Sequence, residues 1–205
     1  DDFGNDGFKR IINEGFNCKQ NHYPYAPTYT GPGHAAIFSG TTPTFHGIIG
    51  NNWYKRDLKR EVYCTEDSLV RGVGYYGPES QMSPRNLKVT NLGDQIKIAT
   101  QFKGKVIGVS LKDRGAILPA GRAADAAYWW IGKDMGHWIT SDYYMDKVPE
   151  WVKLYNRSDA IDKMLTGKWQ LMKPVEFYDE STADNTPFEI PFQGNVLEKL
   201  LGSNM

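Results

Sequence analysis

Cysteine is scarce in this 205-residue chain: Cys18 and Cys64 are the only two, without Cys-x-x-Cys or comparable spacing, which excludes a thiolate zinc module. The pair is either two free, buried thiols or one disulfide in an oxidising compartment. Net charge is missing too, since Lys plus Arg and Asp plus Glu each total 24. A neutral chain lacks the broad positive field that backbone-driven nucleic-acid binding requires, so any anion chemistry must come from a local site. No apolar run reaches the length of a membrane span. The N-terminal Asp1-Asp2-Phe3-Gly4 has neither the basic nor the apolar region of a secretory signal. Internal repeats and low-complexity tracts are absent as well.

What remains is the composition of a soluble globular protein, 40% hydrophobic and 23% charged, long enough for one domain with its own core. Aromatic residues gather at Tyr128-Trp129-Trp130 and Tyr143-Tyr144. They read as residues of strands or undersides of loops, with a carbohydrate or partner surface as the other reading.

Phe8, Ile11 and Ile12, followed by Gly15, predict a short amphipathic helix with a glycine stop. Thr28-Tyr29-Thr30 predicts a short strand that turns at Thr30 into a helix, with Pro32 in its first turn, Ala35-Ala36-Ile37-Phe38 in its body and Gly40 at its end. A loop carrying Gly47, Gly50, Asn51 and Asn52 comes next, then a helix over Asp94–Phe102. Lys105–Leu111 is the clearest strand. Its near-continuous apolar character predicts a central parallel strand buried on both faces. Lys112-Asp113-Arg114 follows its carboxyl end, where open α/β sheets place their ligand sites. Beyond Ala120 the pattern weakens, apart from helical segments at Trp151–Tyr155 and Ala160–Leu165 and a turn-rich, acidic stretch at Pro174–Pro191. The alternation of strand and helix predicts an α/β fold.

Four residues carry candidate chemistry. A threonine at a helix start either caps the helix or, next to unpaired amides and the positive end of the dipole, faces a bound anion. To act as a nucleophile, Thr30 would need a base or a metal beside it. Asn51 either makes a turn beside Gly50 or offers an amide donor to a phosphate oxygen. In an extended chain Lys112 and Arg114 project to the same side. They form either a phosphate clamp, Arg as a fork and Lys as a point charge, or a solvated pair partly neutralised by Asp113.

Together the strings Tyr29–Ala35, Ser39–Pro43 and His46–Ile49 resemble the nucleophile segment of the nucleotide pyrophosphatase/phosphodiesterase branch of the alkaline phosphatase superfamily. Ile49–Tyr54 and Ser110–Gly121 are similar, more narrowly, to the phosphate-irrepressible bacterial alkaline phosphatases, which are exported monoesterases. This resemblance runs from about Gly7 to beyond Tyr144. It implies an alkaline phosphatase-like, mostly parallel sheet between helices, incomplete in this chain. Residues 1–125 would be the nucleophile-bearing part of the α/β domain and 126–205 an irregular accessory region.

By the same resemblance Thr30 attacks phosphorus, forms a phosphothreonine and is a zinc ligand. Its backbone amide and Asn51 hold phosphate oxygens, and Lys112 and Arg114 bind the non-bridging oxygens of a monoester. Diesterases of the branch lack this Lys-x-Arg pair. His34 and His46 are read as structural, orienting the turn and the following loop. A periplasmic or secreted location is implied, which favours a Cys18–Cys64 disulfide.

The family's two zinc ions take Asp and His ligands, including an Asp-x-x-x-His and an Asp-His pair, and neither string occurs among the residues around the four histidines His22, His34, His46 and His137. Asp134 and His137 stand three apart in a Gly-flanked turn and are set aside, and Asp1 and Asp2 lie too close to Thr30. The expectation is therefore a piece of a longer enzyme, inactive alone, acting on a small phosphate ester and prone to dimerise through uncovered sheet edges. Phosphodiester hydrolysis and a non-catalytic phosphate-binding module are the alternatives.

Overall fold

The computed structural model describes residues 3–132, 136–165 and 173–178. Helix α1 (Phe8–Glu14) leads to α2 (Thr30–Ser39) and the single turn α3 (Pro43–His46), and then to a hairpin of β1 (Asn52–Lys55) and β2 (Arg60–Tyr63). A short strand β3 (Gly72–Val73) precedes α4 (Leu92–Ala99), β4 (Ile107–Ser110) and α5 (Asp113–Ala120). Strands β5 (Ala126–Ile131) and β6 (His137–Ser141) and helices α6 (Glu150–Arg157) and α7 (Ala160–Leu165) follow. The α/β class is borne out.

The main sheet is mixed, in the order β3-β6-β5-β4, with β4 parallel to β5 and the other two pairs antiparallel. Strand β5 is its centre. Alternate residues on β5 face opposite ways: Ala127, Trp129 and Ile131 pack with Ala116 and Ile117 of α5, whereas Ala126 and Tyr128 pack with Val148 and Val152 of the α6 region. Every residue of β5 is buried, so the helices on its two faces account for the continuous apolar run AAYWWI.

The expectation of a central, doubly buried strand at Lys105–Leu111 is therefore corrected. A strand does form there and it is parallel to its neighbour, but it lies at the edge of the sheet, and Ile107 and Val109 are 57% and 60% exposed. Apolar content alone does not tell a central strand from an edge strand whose outer face is open. The division expected at residue 125 falls between β4 and β5, two strands of one sheet. The aromatic run Tyr128-Trp129-Trp130 is core, as the plainer of its two readings had it.

Helix α5 lies close on β4 because Gly108 allows it. A Cβ there would stand 2.1 Å from the carbonyl oxygen of Ala116. Asp125 ties the start of β4 to β5: its carboxylate accepts the Val106 N–H and the Lys97 ammonium, each at 2.9 Å, and its own N–H donates to Val106. Helix α4 is held by a capping box between Asn91 and Asp94, and the Asn91 amide also donates to the carbonyls of Leu118 and Pro119 near the end of α5. These links hold the start of β4 and the end of α5, and the candidate site begins between the two, at the carboxyl end of β4. Cys18 and Cys64 are both free, the first exposed and the second buried. No helix among the described residues is long and apolar enough to cross a membrane.

Candidate active site

Thr30 is the first residue of α2, and Thr28-Tyr29 does not form the expected strand. A helix start leaves its first amides without partners inside the helix. In this turn Pro32 has no N–H, Gly33 donates to the Tyr29 carbonyl, and Gly31 donates to Asn51 Oδ1 at 2.7 Å. That leaves the amide of Thr30 itself. The same accounting orients Asn51: because Oδ1 accepts from Gly31, its NH₂ group is turned outward as a donor. Asn51 is anchored through its backbone, whose carbonyl accepts the Cys64 N–H at 2.8 Å, so the hairpin end sets its position.

Lys112 is the N-cap of α5, and Asp113 and Arg114 form its first turn. The expected geometry, an extended chain projecting Lys112 and Arg114 to one side, is thus corrected for Arg114. Both side chains nevertheless line the same cavity of roughly 430 Å³ as Asn51, closed by Tyr63, Met82 and Trp129. Three of the four predicted residues share that cavity, and Thr30 is joined to it through the Gly31–Asn51 hydrogen bond. A larger cavity, about 520 Å³, lies against β3 at the other edge of the sheet and includes none of them.

Asp113 does not sit between the two cations as a counter-charge in solvent. It turns inward, where Tyr63 donates to Oδ1 at 3.0 Å and the Thr65 hydroxyl donates to Oδ2. Burial raises its pKa, opposed by those hydrogen bonds and by Arg114. Arg114 Nη1 donates to the Tyr63 oxygen at 2.6 Å, and its buried Nε–H has no partner among the described residues. Burial lowers the pKa of Arg114, but Tyr63 and Asp113 more than offset this, so the guanidinium stays charged. Tyr63 is held as a neutral phenol, pushed up by burial and by the Asp113 charge. Sequence reasoning missed Tyr63 and Thr65, which lie about fifty residues from Asp113 and belong to no local motif.

His34 lies on α2 facing α5, and burial together with nearby Arg114 lowers its pKa. His46 Nδ1 accepts the Ile48 N–H at 3.1 Å, which holds the loop leading to Asn51. Among the described residues no three of His, Cys, Asp and Glu converge in a way that would hold a metal ion. Asp1, Asp2 and Asp134 lie outside the described residues. A single threonine hydroxyl does not make a two-zinc centre, so the described residues do not fit that group.

An amide donor and two cations thus share one cavity at the carboxyl end of β4, beside the start of α2. The chain belongs to the type I phosphodiesterase / nucleotide pyrophosphatase family, which matches residues 3–201. It is 48% identical over 94% of its length to alkaline phosphatase PhoV of Synechococcus elongatus, and 45% identical over 95% to a protein of Myroides odoratus named as a calcium-transporting ATPase. In each case it covers 35% of the relative, so the chain spans about a third of the length of the curated relatives it matches. The crystal structure of wild-type alkaline phosphatase PafA has the same fold, with a TM-score of 0.85 and 42% identity over 91% of this chain and 36% of that one. A PafA variant with one threonine, one asparagine, one lysine and one arginine replaced superposes equally well.

Proposed function

We propose that this chain carries the nucleophile and the phosphate-binding residues of a phosphomonoesterase. The observation that carries this reading is the convergence of Asn51, Lys112 and Arg114 on one cavity beside the helix start that bears Thr30. The PafA variant supports it. The lysine and arginine replaced there stand two residues apart, as Lys112 and Arg114 do, and the separation of its threonine and asparagine equals that of Thr30 and Asn51.

In this reading Thr30 Oγ attacks phosphorus, an O–P bond forms, and the bond to the ester oxygen breaks, the proton lost by the Thr30 hydroxyl being balanced by the one the departing alcohol gains. Water then attacks the phosphothreonine, freeing inorganic phosphate and the Thr30 hydroxyl. The Thr30 amide and the Asn51 NH₂ hold phosphoryl oxygens. Lys112 and Arg114 take the others, and they favour a monoester because it brings one more negative charge than a diester. The ligand set for the two zinc ions that the resemblance implies does not stand among the described residues, and no step is routed through a metal. The location proposed with this activity is periplasmic or extracellular.

Phosphodiester hydrolysis is the second reading, favoured by the name of the family. The test uses the full gene product, with p-nitrophenyl phosphate, its bis-ester and ATP as substrates, the last because one relative is named as an ATPase. Acid quenching during turnover should leave a phosphoryl group on the Thr30 peptide in mass spectrometry, and Thr30→Ala should abolish both label and turnover. This chain by itself should turn over none of the three, with or without added zinc. Faster cleavage of the bis-ester would move the reading to a phosphodiesterase, and phosphate binding without turnover by the full product would leave a binding module.

A further inference from the structure

Arg114 raises a physical question that its neighbour in sequence does not answer. A long, flexible side chain presents a fork to phosphate only if something holds the fork in place. The obvious partner, Asp113, makes no ion pair with Arg114 or Lys112 and gives both its oxygens to hydroxyl groups instead. Arg114 is held by Tyr63. Nη1 donates to the phenol oxygen at 2.6 Å, and the guanidinium carbon lies 5.8 Å from the centre of the same ring.

The polarity of this chain of hydrogen bonds is determined at each link. A guanidinium only donates, so the Tyr63 oxygen accepts from it and the single phenol proton goes to Asp113 Oδ1. Asp113 accepts there as a carboxylate, and its second oxygen is satisfied by buried Thr65. The negative charge thus reaches Arg114 through a phenol. A direct, two-pronged Asp–Arg pair would fill the fork and cancel its charge. Through Tyr63 only one of the five N–H groups is used, and the buried Nε–H stays without a partner among the described residues.

We propose that Tyr63, braced by Asp113 and Thr65, is the positioning residue that holds the Arg114 fork open toward the phosphoryl group and thereby sets the preference for monoesters. The proposal rests on the reading of Arg114 as a phosphate-binding residue.

The test compares Tyr63→Phe, Arg114→Ala and the double variant in the full, metal-loaded gene product, measuring kcat/KM for p-nitrophenyl phosphate and for its bis-ester. Tyr63→Phe should lower monoester kcat/KM about tenfold and change the diester less than about twofold. In the Arg114→Ala background it should have no further effect on the monoester, because both changes disable one device. If Tyr63→Phe fails to fold, Tyr63→Phe with Asp113→Asn removes the stranded carboxylate and should show the same loss of selectivity. An equal fall for both substrates, no fall, or a full additional loss in the Arg114→Ala background would each overturn the role of Tyr63. Unchanged monoester turnover in Arg114→Ala alone would instead remove the reading of Arg114, and this proposal with it.

Discussion

Replacing Asp125 by Asn removes the charge that holds the entrance of β4, the strand whose exit carries Lys112 and Arg114. The Lys97 side chain is 5% exposed, and its ammonium lies 2.9 Å from Asp125, with the Gly104 carbonyl at 3.0 Å as a further acceptor. Taking away one partner of such a pair strands the other charge, which costs about 3–5 kcal/mol. The carbonyl contact that Lys97 keeps, and the solvent that reaches the 24% exposed Asp125, bring the loss below that range, to about 2 kcal/mol. For a chain of this size that corresponds to a fall in Tm of roughly 4–8 °C. Lys97→Met added to Asp125→Asn should recover most of it, since the amide still accepts the Val106 N–H and no buried charge remains. There is also an acid arm. The Val106 N–H, followed by Lys97, lowers the Asp125 pKa from 3.8 to about 2. A depressed carboxylate adds stability that is present above pH 4 and lost as the pH falls toward 2. The shift corresponds to at most about 2 kcal/mol, and screening on the solvent side reduces that to about 1 kcal/mol. Thermal melts of the three proteins at pH 7, and of wild type and Asp125→Asn between pH 4 and pH 2, check both arms. If Asp125→Asn melts within about 1 °C of wild type, or the double variant is no better than the single one, the buried-pair reasoning is wrong.

The cysteines should separate sharply in a thiol titration. Burial pushes Cys64 up to about 12 while Cys18 is exposed, so native protein should react at one thiol and denatured protein at two; a native chain with no reactive thiol would show that the two are paired. Gly31→Ala tests the fit of α2 against the hairpin. A Cβ there would stand 3.2 Å from Asn51 Oδ1 and from the Gly50 carbonyl and 3.3 Å from Cys64 Sγ. Crowding of about 1–3 kcal/mol should outweigh a helix gain of at most about 1 kcal/mol. Chemical denaturation should therefore show a net loss near 1 kcal/mol, and inhibition by inorganic phosphate should weaken as Asn51 is displaced. Unchanged values in both would mean that Asn51 has room to yield.

Local signals in the chain were dependable where the determinant was itself local. Helix α2 starts at Thr30 and ends before Gly40, which takes the left-handed conformation with φ of 68°. Strand β4 lies inside the apolar run that predicted it, and α4 overlaps Asp94–Phe102, although it begins two residues earlier because the capping box is set by Asn91. Position in the sheet was another matter. Whether β4 is central depends on what lies beside it, and Ile107 and Val109 read the same at an open edge as in an interior. For strand β5 the aromatic residues read as strand or loop underside before surface, but nothing local says which of these they form. Only the helices on its two faces decide that question.

The candidate site divides along the same line. Thr30, Asn51, Lys112 and Arg114 stand in strings similar enough to a known family to be picked out together, and three of them do share a cavity. The device around Arg114 was out of reach because a helix start governs it. In an extended chain Asp113 lies opposite both cations. In the first turn of α5, Asp113 and Arg114 are about 100° apart, so Asp113 can give its oxygens to Tyr63 and Thr65 while Arg114 reaches the phenol oxygen from another side, all within the lining of one cavity or just behind it. A chain with no net charge can still present two cations to an anion because both oxygens of the neighbouring carboxylate, which lines the same cavity, are taken by hydroxyl groups. That arrangement rests on the hairpin and on Thr65, the segment that a reading of Lys112-Asp113-Arg114 alone leaves out.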